Sequence, residues 1–138
     1  MAAKEDYLRI IYELGGKQVK AVDIAKKLEI SKPSVSEMIK KLTKEKLIQA
    51  KSYGKIFLTK KGMKEAKKLS YRYHIIRKFA KHILKHDDDK AHETAHKLTK
   101  HFPHDSIKYL HRFLEQDLDN IYKLKEMEQE KKVPSYVN

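Results

Sequence analysis

No cysteine occurs among the 138 residues. Disulfides, thiolate metal sites and a cysteine nucleophile are therefore excluded. No apolar run approaches the ~20 residues that a membrane span needs, so no membrane partner is expected. Only 4 Gly and 3 Pro leave little room for long loops. There is no internal repeat and no low-complexity segment. The opening Met1-Ala2-Ala3-Lys4-Glu5-Asp6 has no hydrophobic signal core. The expectation is a soluble, cytoplasmic protein. A Gly-rich phosphate loop and a pair of catalytic carboxylates are missing as well, and Ser-His combinations at this frequency arise by chance, so no enzyme is expected.

What the chain has instead is charge. Lys and Arg number 32 against 19 Asp and Glu, a formal +13. An excess of that size says little about fold but points to a polyanionic partner. Most of it is lysine, which suits phosphate contact better than bidentate base reading. Apolar residues at 40% supply an ordinary core for one compact domain or two small lobes.

Periodicity then organises the chain. Glu5 to Leu14 reads as a helix with Tyr7, Leu8, Ile10, Ile11 and Leu14 on one side, stopped by Gly15-Gly16. Val19 can pair briefly with a later hairpin. Ala21 to Leu28 is a second helix with Val22, Ile24, Ala25 and Leu28 inward, and Glu29-Ile30 is a turn. Ser31 is a good N-cap, and Pro33 stands where a missing N–H costs nothing. The third helix runs to about Lys46 and buries Val35, Met38, Ile39 and Leu42. Leu47 to Lys51 and Lys55 to Leu58 form a hairpin around Ser52-Tyr53-Gly54. Thr59 caps a long helix to about His86, with Asp87-Asp88-Asp89 opening the next, to about His101. After Phe102-Pro103 a last helical region from Asp105 carries Ile107, Leu110, Leu114, Leu118, Ile121 and Leu124, as one helix or as two broken near Gln116 to Asp119. Val133 to Tyr136 reads as a frayed tail.

Two helices at a short turn followed at once by a hairpin are more specific than either part alone. The expected fold is mainly α: a winged helix-turn-helix of three helices and a small β-hairpin, then a helical dimerisation domain. The expected domains are 1–62 and 63–138, bridged by the helix 60–86. Residues 1–62 hold 15 Lys and Arg against 7 Asp and Glu, net +8, and residues 63–138 hold 17 against 12, net +5. The positive charge is densest where double-stranded DNA would bind. Ser31, Ser34 and Ser36 are small enough to let a helix N-terminus approach a phosphate. Lys32, Lys40 and Lys41 extend toward phosphate or a base edge, or Lys41 pairs with Glu37. Pro33 can meet a thymine methyl, and Glu37 can accept from cytosine. Lys51, Tyr53 and Lys55 on the wing would hold flanking phosphates. The apolar stripes Met63–Ile83 and Ile107–Leu124 suit core and a homodimer with C2 symmetry.

The eight histidines admit two readings. His82/His86 and His92/His96 lie at i, i+4 and can chelate Zn²⁺, Ni²⁺ or Cu²⁺ as a pair, or they are solvated polar residues. A His-rich metal-binding protein and a non-specific, architectural DNA-binding protein therefore stand beside a sequence-specific regulator as alternatives.

The residues Glu5 to Leu14, Val22 to Ala25, Lys32 to Leu42, Leu58-Thr59-Lys60-Lys61-Gly62, and Tyr71-Arg72 with Phe79 together resemble the diphtheria toxin repressor and manganese transport regulator family. The resemblance covers essentially the whole chain and is closest to the short, two-domain type. It implies a homodimeric transcriptional repressor whose DNA affinity is raised by Mn²⁺ or Fe²⁺. The implied metal positions fall on Asp6, Arg9, Tyr73, His96, Thr99 and Lys100, with a further histidine used by some members on His92. Asp6, His92 and His96 retain ligand chemistry. Arg9, Tyr73, Thr99 and Lys100 do not, and two of them are cations, whereas Mn²⁺ and Fe²⁺ favour carboxylate and imidazole. Pairing of Arg9 or Lys100 with Asp6 would supply the positive charge that the ion otherwise brings, leaving three expectations open: a metal, a histidine-bound metal, or none.

Overall fold

The computed structural model describes the backbone of residues 2–129 and the side chains of residues 2–116. The expected tail at Val133 to Tyr136 and the side chains of Leu118, Ile121 and Leu124 lie outside the described residues. The chain divides into two compact units, Met1–Tyr73 and His74–Asn138.

In the first unit α1 (Lys4–Glu13), α2 (Ala21–Leu28) and α3 (Lys32–Lys44) surround one apolar cluster. Tyr7, Leu8 and Ile11 of α1, Ile24 of α2 and Val35 and Leu42 of α3 meet Leu47, Ile48 and Ile56 there. Each such side chain contributes roughly 1.5–3 kcal/mol by leaving water. β1 (Val19–Lys20), β2 (Ile48–Lys51) and β3 (Lys55–Leu58) form an antiparallel sheet in the order β1-β3-β2. The pairing of Val19 with Ile56 brings the expected contribution of Val19 to the hairpin.

Ser31 caps α3 as its chemistry predicts: its Oγ accepts the Ser34 amide at 3.3 Å. The helix stops at Lys44, two residues before the expected end. Lys46 turns left-handed at φ 61°, and the Leu47 amide closes back on the Leu42 carbonyl at 3.0 Å. Val22, expected inward, is exposed at the rim of α2.

α4 (Lys60–His82) opens on Thr59, whose Oγ1 accepts the Gly62 amide at 3.0 Å and donates to the Lys46 carbonyl at 2.7 Å. Gly62 is required by packing. A Cβ there would sit far inside van der Waals contact distance of the Leu47 carbonyl oxygen. The same hydroxyl thus stitches the start of α4 to the end of the α3–β2 connection.

In the second unit α4 ends at His82 rather than His86. Lys85 goes left-handed at φ 60°, and the His86 amide reaches the Ala80 carbonyl at 3.0 Å. α5 (Asp88–Leu98) begins on Asp87, whose carboxylate accepts the Lys90 amide at 2.8 Å. It ends three residues before the expected His101. α6 (His104–Gln129) is continuous through Gln116 to Asp119, so the single-helix alternative holds. Ile75, Ile76, Ala80, Ala91, Ala95, Ile107 and Leu114 are buried in this unit. Asp88 receives Lys81 at 2.8 Å and Arg77 at 3.5 Å. Their hydrogen bond and charge, Lys81 first, hold its carboxyl below the ordinary 3.8.

Candidate nucleic-acid interface and effector positions

The inward residues of α3 leave one face to solvent. Ser31, Lys32, Pro33, Ser34, Ser36, Glu37, Lys40 and Lys41 are all exposed on it. The Ser31 hydroxyl also donates to the Ser34 Oγ at 2.9 Å, which fixes both side chains at the helix start. On the wing Lys51 and Tyr53 are exposed and Lys55 is half-exposed. Tyr53 is 98% exposed at the tip and sits left-handed at φ 65°. An aromatic residue in that conformation, with no packing in return, is strained. The Lys51 ammonium lies over the Phe57 ring at 4.6 Å, which holds it on the sheet surface.

Register adds a residue that sequence reasoning missed. Lys20 pairs with Lys55, and Lys55 pairs with Lys51. Directly paired residues share a sheet face, so three ammonium groups form one row across β1, β3 and β2. Like charges opposed in this way are mutually destabilising, and an anion relieves them. Nothing in a two-residue strand signals its register, so Lys20 was not legible beforehand. A groove of about 580 Å³ beside β2 carries three further lysines, Lys46, Lys60 and Lys61.

The effector positions fall in both units. In the first, Asp6 and Arg9 are buried on α1, and Tyr73 is buried on α4. Asp6 Oδ2 accepts the Ala3 amide at 2.8 Å, forming half of a capping box, since Ala3 has no side-chain oxygen of its own. The Tyr7 phenol is pushed above its ordinary 10.0 by burial and then by the neighbouring Asp6 charge. Arg9 is 7% exposed and Tyr73 6%. The guanidinium carbon stands 3.9 Å from the Tyr73 ring centroid, and Nη1 reaches the Glu13 carboxylate at 3.4 Å. In the second unit the His92 and His96 rings lie 6.2 Å apart on α5. Thr99 donates to the Ala95 carbonyl of its own helix, and Lys100 is exposed. His82 and His86 do not share a helix, because α4 ends between them. His86 Nδ1 instead lies 3.3 Å from the Thr94 hydroxyl.

These donors do not fit a divalent ion. Among the described residues no group of three or more His, Asp or Glu comes together to hold one. A fixed guanidinium at one of the implied positions opposes a second cation beside it, and the Glu13 carboxylate offsets part of that repulsion.

A helix-turn-helix with a three-stranded wing, an exposed small-residue start to its third helix and a row of lysines across the wing defines the winged-helix class of DNA-binding proteins. Two family models match the chain: the iron dependent repressor N-terminal DNA binding domain over residues 1–56, and the iron dependent repressor metal binding and dimerisation domain over residues 59–123. The chain belongs to this family of transcriptional regulators. It is 32% identical over 120 residues to an HTH-type transcriptional regulator of Methanocaldococcus jannaschii, covering 85% of this chain and 96% of that one. It is 31% identical over 105 residues to the HTH-type transcriptional regulator MntR of Bacillus pumilus, covering 75% and 72%. Among solved structures it resembles the manganese regulator SloR at 36% identity and TM-score 0.74, and the metal-dependent transcriptional regulator MtsR at 30% and 0.72. It covers 83% and 82% of its own length in those matches and spans 54% of each of those chains. Among the described residues no helix is long and apolar enough to cross a membrane.

Proposed function

We propose that the chain is a cytoplasmic, homodimeric repressor that reads double-stranded DNA through α3 and holds it through the wing. Residues 1–62 act as the reader and residues 63–138 as the dimerisation and effector part. The carrying observation is the Lys20–Lys55–Lys51 row across the wing, a built excess of positive charge in the same unit as the exposed, small-residue start of α3. Ser31, Ser34 and Ser36 bring the backbone to a phosphate. Lys32, Pro33, Glu37, Lys40 and Lys41 face the base edges of the major groove, and Lys51, Tyr53 and Lys55 lie along the flanking backbone.

The match to a dimerisation domain supports the homodimer. So do Leu84, Leu98, Tyr109 and Phe113, large apolar side chains left exposed in the second unit. Two copies would read half-sites about one helical turn apart. Mn²⁺ regulation, as in the names of the relatives, requires a donor set, and of the implied positions Asp6, His92 and His96 alone retain ligand chemistry.

The test is selection of duplexes from a random pool by the purified chain, followed by binding over a range of salt. A recurrent, inverted-repeat sequence with a log–log salt slope of about 0.9 per phosphate contacted is expected. Equal affinity for random and selected duplexes would make the protein an architectural binder instead. An affinity indifferent to salt would exclude DNA as its partner.

A further inference from the structure

We propose that the Arg9 guanidinium is the chain's own replacement for the regulatory divalent cation, so that DNA affinity does not depend on Mn²⁺ or Fe²⁺. This rests on the DNA-binding function proposed above.

Three observations carry it. First, two positions implied as metal-binding, Arg9 on α1 and Tyr73 on α4, touch each other directly at 3.9 Å. A bound ion would join the two helices through donors on each. Here the helices are joined by a cation that is part of the chain. Second, the guanidinium is buried and has its carboxylate partner in Glu13, at 3.4 and 3.5 Å to the two oxygens. Its charge is therefore compensated inside the first unit. Third, the acidic donor on the same helix is committed to the fold: one Asp6 oxygen holds the Ala3 amide.

An arginine cannot lose its proton in a protein and cannot dissociate. A switch that waits for a cation is thereby closed at all times. The planar guanidinium also stacks on an aromatic face, where the ring quadrupole attracts it. A ligand shifts an equilibrium only by its differential affinity for the two states. An ion that finds no donor set in either state has no hold on the DNA-binding conformation. The retained family fold with an Arg9–Tyr73 contact between α1 and α4 thus describes a repressor whose affinity is set at synthesis.

The experiment uses the full chain and two readouts. The first is thermal melting with chelator and with Mn²⁺, without DNA. Unchanged melting is expected, and a saturable rise with Mn²⁺ overturns the proposal. The second is affinity for the selected duplex with chelator and with Mn²⁺. A change of less than about fivefold is expected, and about fivefold or more, the onset of ordinary allosteric coupling, overturns it. Arg9→Met should weaken DNA binding by about fivefold or more in both conditions, while Arg9→Lys, which keeps the charge and loses the planar stack, should fall between Met and the parent. A Met variant that is folded by circular dichroism and binds as well as the parent overturns the assignment of Arg9. If no duplex is bound under any condition, the DNA function fails, and the melting experiment still decides the metal question by itself.

Discussion

The Arg9 guanidinium lies 3.9 Å from the centre of the Tyr73 ring, with both residues almost fully buried. The contact ties α1 to the last turn of α4 within the first unit. Replacing Arg9 by Met keeps the apolar stem and removes the charge, the ring contact and the Glu13 pair. A loss of about 1–2 kcal/mol is expected in urea unfolding of the full chain, most of it from the desolvated ring contact. A variant as stable as the parent would mean that the stacked pair carries no stabilising weight.

Gly62 makes a sharper prediction because the space is backbone-limited. Gly62→Ala sets a methyl group into the Leu47 carbonyl, and the start of α4 must move. The expected cost is about 2–3 kcal/mol, with the Thr59 hydroxyl bonds to Lys46 and Gly62 weakened together. Ala is the better helix former, so an unchanged or raised stability would show that α4 has room to shift.

The lysine row separates stability from binding. Lys20→Ala relieves a like-charge opposition with Lys55 and should leave stability unchanged or slightly raised. The same change should lower DNA affinity and reduce the salt slope by about 0.9. An unchanged slope would place Lys20 off the DNA.

At the start of α5, acid should weaken the second unit. The Asp88 carboxyl is held below its ordinary value, chiefly by the Lys81 hydrogen bond. Its contribution is therefore fully present above the unfolded value near 3.8 and is lost as pH falls through the lower folded value. Asp88→Asn should lower the melting temperature at neutral pH by a small, salt-sensitive amount, and the difference from the parent should shrink toward zero in acid. A difference that persists below the folded value would assign the effect to packing.

Much of the first unit was legible because its signals are local. The apolar steps of α1 and α3, the Ser31 cap and the Thr59 cap each act within four residues or so, and all appear where the sequence puts them. The ends of α3 and α4 were misplaced for one shared reason. Lys46 and Lys85 turn left-handed although lysine has no preference for that conformation, so closure of the chain onto the core decides, and propensity does not. The stretch Gln116 to Asp119 left one helix or two open in the sequence; it contains neither Gly nor Pro and stays helical. The site divided in the same way. The exposed face of α3 follows from its buried one, whereas Lys20 entered through strand register and the Arg9–Tyr73 stack through tertiary packing between distant stretches. The expected His82/His86 pair failed because α4 stops at His82.

Affinity of the purified chain for its selected duplex, measured in chelator across a salt series and repeated with Mn²⁺, tests the central claim most directly. Tight binding in chelator, weakening with salt by about 0.9 per phosphate contacted and little changed by Mn²⁺, is the predicted result. Binding that is absent in chelator and appears when Mn²⁺ is added would contradict it.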